Sequence, residues 1–199
     1  MRAFVALPLP EPVRRSLDIY AEARRDADRI TARSAGTGLD WSWTMPEQWH
    51  VTLAFADRVP IDRLDQWDEL LAEVAARTEG FRLRVDGAGT FPHPDAAKVL
   101  HLRVVDDTGG TDRVAALARA VRTAARRAGV ETDRKRFIPH LTLARSRRGV
   151  SATRWVRAFD ALDLPDWPVT GMQLVESQWS GPGRRAVHRV ESDHRFASV

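Results

Sequence analysis

The sequence contains His-Val-Thr-Leu-Ala at residues 50–54 and His-Leu-Thr-Leu-Ala at residues 140–144. Four of the five positions are identical, although the two copies lie ninety residues apart. In a β-strand, alternate side chains point to the same face. Each copy therefore predicts a strand with a histidine and a threonine on one face, and with aliphatic side chains directed into a core on the other.

Hydrophobic patterning predicts further strands and helices around both copies. Strands are expected at residues 3–7, 49–55, 81–85, 99–105, 137–144, 169–177 and 186–191. Helices are expected from Pro12 to about residue 30, across the apolar positions between 61 and 74, and at 111–128 and 153–162. Residues 31–40, with two glycines, predict a loop, and Gly181-Pro182-Gly183 predicts a turn.

The order of these elements predicts an α+β fold, because it lacks the regular strand–helix–strand alternation of a doubly wound sheet. Each half of the chain has a helix, several strands and one His-x-Thr copy. We therefore expect residues 1–199 to form a single domain of two similar lobes that face each other.

Composition limits the class of protein. Hydrophobic residues make up 43% and charged residues 29%, as in soluble globular chains. No apolar run reaches the roughly 20 residues of a membrane span, and the apolar stretch at the N-terminus is too short for a signal peptide. The chain has no cysteine, which excludes disulfides, zinc–thiolate sites and thiol nucleophiles. We expect a cytoplasmic protein with no membrane partner.

The distribution of charge is more informative than the net charge of +4. Residues 134–159 contain no Asp or Glu but many basic residues: Arg134, Lys135, Arg136, Arg145, Arg147, Arg148, Arg154 and Arg157. Such a segment attracts polyanions, although in isolation it is equally consistent with a solvated basic surface. His140 lies within it, which favours a phosphate ligand.

The paired motifs are suited to acid–base chemistry on a phosphodiester. Imidazole is the side chain best matched to proton transfer near neutral pH. Opening a cyclic phosphate requires one group to accept a proton from water and another to donate one to the departing oxygen, and His50 and His140 are the candidates. A lone histidine in an apolar strand is more often structural, but two near-identical copies favour catalysis. The scheme requires no metal, and no spacing of His, Asp and Glu indicates one.

The sequence resembles the 2H phosphoesterase superfamily, and within it the bacterial and archaeal RNA 2',3'-cyclic phosphodiesterases, also called 2'-5' RNA ligases. The resemblance covers almost the whole chain and is carried by residues 2–7, 49–55, 85–91, 98–102, 137–145 and 174–177. It implies a two-lobed fold with antiparallel sheets lining a central cleft and helices outside. It also implies metal-independent hydrolysis of RNA 2',3'-cyclic phosphate ends to 2'-phosphomonoesters, with no cofactor.

The resemblance implies roles for particular residues. His50 corresponds to the acid at the leaving 3' oxygen and His140 to the base on water. The substrate-binding residues are expected to be Thr52, Thr142, Arg145 and Phe55. Phe55 would offer a surface to a nucleobase, although strand alternation puts it on the face opposite His50 unless the chain bends there. We expect a monomer whose partner is an RNA or oligonucleotide with a cyclic phosphate end.

The chain departs from the family at three places. Phe55-Ala56-Asp57 stands where relatives have Phe-Leu-Gly, and Asp57 adds a negative charge near an anion site. His101 stands where many relatives have an aromatic residue, and Val187-His188 where a late tyrosine is common. We expect a structural or surface role for His101 more than a place in the cleft. His93, His188 and His194 are predicted to be solvent-exposed.

Two other functions fit the sequence. One is a module that binds RNA ends without significant turnover, which the basic segment favours. The other is the same chemistry on a different substrate: a small cyclic nucleotide, an ADP-ribose cyclic phosphate, or the joining of RNA ends through a 2'-5' linkage.

Overall fold

A computed structural model describes residues 1–34, 41–180 and 185–197. Within these residues, nine strands form one antiparallel sheet. The strands are β1 (Ala3–Pro8), β2 (Ser42–Trp43), β3 (His50–Ala56), β4 (Phe81–Phe91), β5 (Ala97–Asp106), β6 (His140–Val150), β7 (Trp167–Val169), β8 (Gly171–Ser180) and β9 (Arg185–Arg195). Their order is β7-β4-β5-β6-β3-β1-β8-β9, and β2 pairs with β6.

The described residues also contain four α-helices: α1 (Glu11–Ser34), α2 (Leu64–Ala76), α3 (Asp112–Arg127) and α4 (Thr153–Asp160). Three short 3-10 helices lie at Pro46–Gln48, Ile61–Arg63 and Pro94–Ala96. Helices α2 and α3 pack against β3, β8 and β9, whereas α4 packs against β4 and β5. Tyr20 of α1 hydrogen-bonds the Ala158 carbonyl of α4 at 2.6 Å. The predicted α+β class is confirmed. No described helix is long and apolar enough to cross a membrane.

The two His-x-Thr copies meet in the middle of the sheet. β3 and β6 are neighbours, and Val51 opposite Leu141 is the residue pair that joins them. β7, β4, β5 and β6 lie on one side of this junction, and β3, β1, β8 and β9 lie on the other. Val51 and Leu141 are fully buried and belong to the main hydrophobic core. Their burial fixes which face of each strand carries the histidine and the threonine.

Some predicted boundaries are wrong. Residues 31–34 continue α1, where the Thr31 hydroxyl donates to the Ala27 carbonyl at 2.8 Å, and residues 35–40 lie outside the described residues. The strand predicted at 169–177 is divided between β7 and β8, because β7 pairs with β4 and β8 pairs with β1 and β9. β6 begins only at His140, after Pro139, which lacks an amide hydrogen for a ladder. The predicted turn at residues 181–183 also lies outside the described residues.

Candidate active site

The β3–β6 junction brings the two motifs together. Because the strands are antiparallel and Val51 lies opposite Leu141, the residue before Val51 lies near the residue after Leu141. His50 is therefore beside Thr142, and Thr52 is beside His140. All four side chains are partly exposed on one face of the sheet, while Val51 and Leu141 between them are buried.

The two imidazoles are held in the same way. The Nδ1–H of His50 donates to the Gln48 carbonyl at 2.7 Å, and the Nδ1–H of His140 donates to the Ile138 carbonyl at 2.7 Å. A carbonyl oxygen can only accept, so the hydrogen is on Nδ1 in both rings. Nε2 is then the nitrogen with a free lone pair when the ring is neutral, and the nitrogen that donates when the ring is protonated.

Both motifs contain a β-bulge at the same position. In β3, Ala54 lies opposite Val5 but Thr52 lies opposite Ala6, so Leu53 is an extra residue. The β6 ladder with β5 has the same irregularity, since Ala144 lies opposite Leu100 and Thr142 lies opposite His101. The residue left without a ladder partner in β6 is Leu143. One inserted residue reverses the alternation of faces beyond it.

The bulges return Phe55 and Arg145 to the face that carries the threonines. Phe55 packs with Phe4 and Ala6 in a small apolar cluster separate from the main core. The guanidinium of Arg145 is 3.5 Å from the Thr142 hydroxyl. Simple alternation of side chains along β3 predicts Phe55 on the face opposite His50. The bulge at Leu53 reverses that alternation, so Phe55 lies on the same face as His50.

Each motif histidine has a phenylalanine and a second histidine against its ring. The Phe4 ring stacks on His50 with centroids 4.6 Å apart and planes at 20°. The His188 ring approaches His50 edge-on, at 5.5 Å and 70°. His50 thus contacts both an apolar ring of β1 and an imidazole of β9.

The surroundings of His140 are similar in composition but different in geometry. Phe91 and His101 stack on each other at 4.3 Å and 21°. His140 is edge-on to both rings, 5.0 Å from Phe91 and 5.2 Å from His101. Gly89 lies opposite His101 in the ladder, and a Cβ at Gly89 would be 2.8 Å from the His101 Nε2. The missing side chain of Gly89 is what leaves room for the imidazole.

Sequence reasoning missed part of this site. His188 is partly buried, so its predicted solvent-exposed position is wrong. His101, for which a structural or surface role was predicted, is only 3% exposed, which excludes the surface role. His194 was also predicted to be exposed, but it is buried and hydrogen-bonded to Asp68 at 2.9 Å. The exposed position of His93 is confirmed. A signal for His101 was available, because Gly89-Thr90-Phe91 supplies both the space and the stacking ring.

Burial keeps the imidazoles of the site neutral. It is the main cause that lowers the pKa of His50 to about 4, with the nearby His188, Arg145 and His140 lowering it further and the bond to Gln48 opposing the shift. Burial also lowers the pKa of His101 to about 3, and it lowers the pKa values of His140 and His188. Near pH 7 all four rings are therefore uncharged before an anion binds.

Arg145 places a positive charge beside these neutral rings. Among the described residues, no carboxylate forms a salt bridge with it. Asp57, which was expected to bring a negative charge near the anion site, is bound by Arg2 at 2.9 Å and its side chain is 82% exposed. Within the same residues there is no group of three or more His, Asp or Glu side chains arranged to hold a metal ion.

The basic side chains of residues 134–159 lie in different surroundings. Arg134, Lys135 and Arg136 are exposed in the segment that leads into His140. Arg154 instead forms a 3.2 Å salt bridge with the buried Asp28 of α1. Part of the segment therefore stabilises the packing of helices, and the part next to His140 is free to attract an anion.

Comparison with known proteins decides the family. The family model of the 2'-5' RNA ligase superfamily matches residues 24–179 of this sequence. The chain belongs to this superfamily. An RNA 2',3'-cyclic phosphodiesterase of Thermus thermophilus is 31% identical over 188 residues, which are 92% of this chain and 85% of the relative. The protein of the same name from Geobacillus stearothermophilus is 30% identical over 146 residues, 73% of this chain but only 42% of the relative.

Two solved structures have the same fold as this chain. The Thermus thermophilus protein TT0787 matches 100% of this chain and 99% of its own, with a TM-score of 0.73 and 25% identity. LigT of Escherichia coli without ligand matches 98% of this chain and 97% of its own, with a TM-score of 0.69 and 21% identity. The predicted 2H phosphoesterase fold is confirmed.

Proposed function

We propose that this chain hydrolyses the 2',3'-cyclic phosphate ends of RNA to 2'-phosphomonoesters. The observation that carries the proposal is the pair of histidines on adjoining strands, each with Nδ1 tied to a main-chain carbonyl and Nε2 free. Membership of the superfamily supports it, as do the names of the relatives. One Thr and one His from each motif lie together, as an acid–base pair acting on one phosphate requires.

In the proposed reaction, His140 Nε2 accepts a proton from water while the water oxygen attacks phosphorus. The bond between phosphorus and O3' breaks, and His50 donates the proton on Nε2 to O3'. The product has a phosphate on O2' and a hydroxyl at the 3' position. His50 is neutral in the free site, so its proton is taken up as the anionic phosphate binds and stabilises the imidazolium.

The remaining site residues would hold the substrate. Thr52 and Thr142 would donate to the non-bridging oxygens, and Arg145 would offset the charge that develops on them. Phe55, on the same face, would stack on the terminal base. We infer further that the halves of the sheet on either side of the β3–β6 junction act as two lobes of one domain, and that the protein works as a cytoplasmic monomer without metal or cofactor.

The first test is hydrolysis of an oligoribonucleotide with a 2',3'-cyclic phosphate end in the presence of EDTA. The expected product is the 2'-phosphate, and both His50→Ala and His140→Ala should lose at least 10²-fold in kcat. His93→Ala is the matched control, because His93 is exposed and outside the site. RNA binding that survives both substitutions, with no product from the unaltered protein, would instead indicate an RNA-end binding module.

A smaller substrate is the second candidate. LigT, which has the same fold, has been crystallised with 3'-AMP, so a single nucleotide fits a site on this scaffold in that protein. Oligonucleotides should be compared with mononucleotide 2',3'-cyclic phosphates and an ADP-ribose cyclic phosphate, with product analysis at both oxygens. Because incubation of RNA ends can give either hydrolysis or 2'-5' joining, the products of both reactions should be followed. A kcat/KM that is higher for RNA supports the first proposal.

A further inference from the structure

The segment 186–188 of β9 reaches across to the residues that hold His50. The side-chain Nε2 of Gln48 donates to the Ala186 carbonyl at 2.6 Å in a partly buried contact. Ala186 pairs with Trp179 in the β8–β9 ladder, so its position is tied to the hairpin. Gln48 lies just before β3 and Ala186 at the start of β9, and the hydrogen bond connects these distant parts of the chain.

Gln48 contacts His50 as well. Its main-chain carbonyl accepts the His50 Nδ1–H at 2.7 Å. One residue therefore holds the histidine with its backbone and the β8–β9 hairpin with its side chain. A movement of β9 relative to β3 would act on both contacts.

His188, two residues after Ala186 on β9, completes the arrangement. Its ring is edge-on to His50 at 5.5 Å and to Phe4 at 4.9 Å. Phe4 stacks on His50, so the His50 ring is covered by β1 and by β9. The charged or titratable groups that face His50 are His188 from β9 and His140 and Arg145 from β6, whereas β1 contributes only an apolar ring.

At the His140 motif, the residue equivalent to Gln48 has no side-chain hydrogen-bonding group. Ile138 holds His140 through its carbonyl as Gln48 holds His50, but the Ile138 side chain is 43% exposed and apolar. The hydrogen bond to the β8–β9 hairpin is thus a feature of the His50 side. This difference provides a matched control within the same chain.

We propose that Gln48 is a positioning residue, whose side chain holds β9 over His50 so that His188 forms one side of the active site. The effect on turnover rests on the proposed role of His50, while the effect on the surroundings of His50 does not. Loss of the Gln48 hydrogen bond should expose the His50 ring to water. Because burial is the main cause of its low pKa, that pKa should rise toward the ordinary value of 6.5.

The experiment is NMR titration of ¹⁵N-histidine-labelled protein for the unaltered chain, Gln48→Leu, His188→Ala and Ile138→Ala. Leucine is similar in size to glutamine but has no donor. In Gln48→Leu and His188→Ala the His50 pKa should rise and the His140 pKa should stay unchanged, and Ile138→Ala should alter neither. Circular dichroism checks that each variant is folded, and His188→Ala removes the ring that covers His50 without altering the residue that holds His50.

Kinetics separate this inference from the proposed function. With a 2',3'-cyclic phosphate substrate, Gln48→Leu should lower kcat by about tenfold or more, with a smaller change in KM, because the general acid is misplaced rather than the binding groups. The inference is overturned if His50 titrates alike in the unaltered protein and in Gln48→Leu, whatever His188→Ala shows, or if His50 and His140 shift together in Gln48→Leu. A shift of His50 alone in a protein without turnover would support the inference and reject the proposed function.

Discussion

At the scale of single residues, Arg145 is the charged group that we expect to matter most to the proposed site. It lies beside Thr142, has no carboxylate partner among the described residues, and is brought to that face by the bulge at Leu143. The imidazoles around it are neutral near pH 7 because burial lowers their pKa values. Arg145 is therefore a permanent cation beside the two motifs, and it is suited to stabilise charge on a phosphate in the transition state.

We expect Arg145→Ala to lower kcat/KM for a cyclic phosphate substrate by about 10²-fold, the usual cost of removing one such donor. Arg145→Lys should recover part of the loss, because the charge is kept but the planar pair of donors is not. Steady-state kinetics would measure both. Arg147→Ala, an exposed arginine on the same strand, should change the rate little. A rate for Arg145→Ala equal to that of the unaltered protein would remove Arg145 from the mechanism.

At the scale of elements, the fit between β4 and β5 determines where His101 lies. Gly89 faces His101 across the ladder, and Phe91 stacks on the imidazole. A methyl group at position 89 would be 2.8 Å from Nε2 and 3.2 Å from Cε1 of His101. Since Phe91 is already in stacking contact, the ring could yield only by shifting relative to His140 or by separating the strands.

We expect Gly89→Ala to lower the free energy of unfolding by about 1–3 kcal/mol through overpacking, and to reduce turnover because His140 is displaced. Urea unfolding and kinetics would measure the two effects. The double variant with His101→Ala should be more stable than the sum of the single changes, since the clash disappears. Gly110→Ala is the control, because its new Cβ would come no closer than 3.7 Å to the Thr108 hydroxyl. Additive stability changes in the double variant would contradict the proposed clash.

The sequence predicted most of the elements but not the irregularities that shape the site. The strand at residues 3–7 and the helix at 111–128 were predictable because their apolar patterns are long and regular. The bulges at Leu53 and Leu143 were not, because an inserted residue in a ladder leaves no mark in composition. β9 has no apolar face to indicate burial, so His188 looked like a surface residue although β9 brings it to His50.

At the scale of the whole molecule, one sheet carries both motifs and gathers four histidines on the same face. The family likeness could predict His50 and His140, which lie in repeated motifs, but His101 and His188 come from β5 and β9 and are brought there by topology. Burial lowers the pKa of each of the four rings. Gathering neutral imidazoles on one face of the sheet therefore has a consequence for the stability of the entire fold.

The unfolded chain takes up protons on these histidines first as the pH falls below 6.5, whereas in the folded protein His50 and His101 stay neutral down to pKa values of about 4 and about 3. Stability contributed by the lower folded pKa values is complete above pH 6.5 and is lost progressively below it. Buried carboxylates contribute at lower pH: burial alone would raise the pKa of Asp106, but hydrogen bonds from Thr108, Val114 and Arg113 outweigh it and lower that pKa. The interval from pH 6.5 to 5 therefore reports mainly on histidines.

In that interval we expect urea unfolding to show a free energy that decreases as the pH falls. His101→Phe, which keeps a ring against Phe91, should reduce the slope by up to about 1.4 kcal/mol per pH unit, the value for one proton. His93→Phe should leave the slope unchanged, because His93 is exposed. Equal slopes for His101→Phe and the unaltered protein would mean that His101 takes up a proton in the folded state near its ordinary pKa, and that its place beside His140 does not keep it neutral.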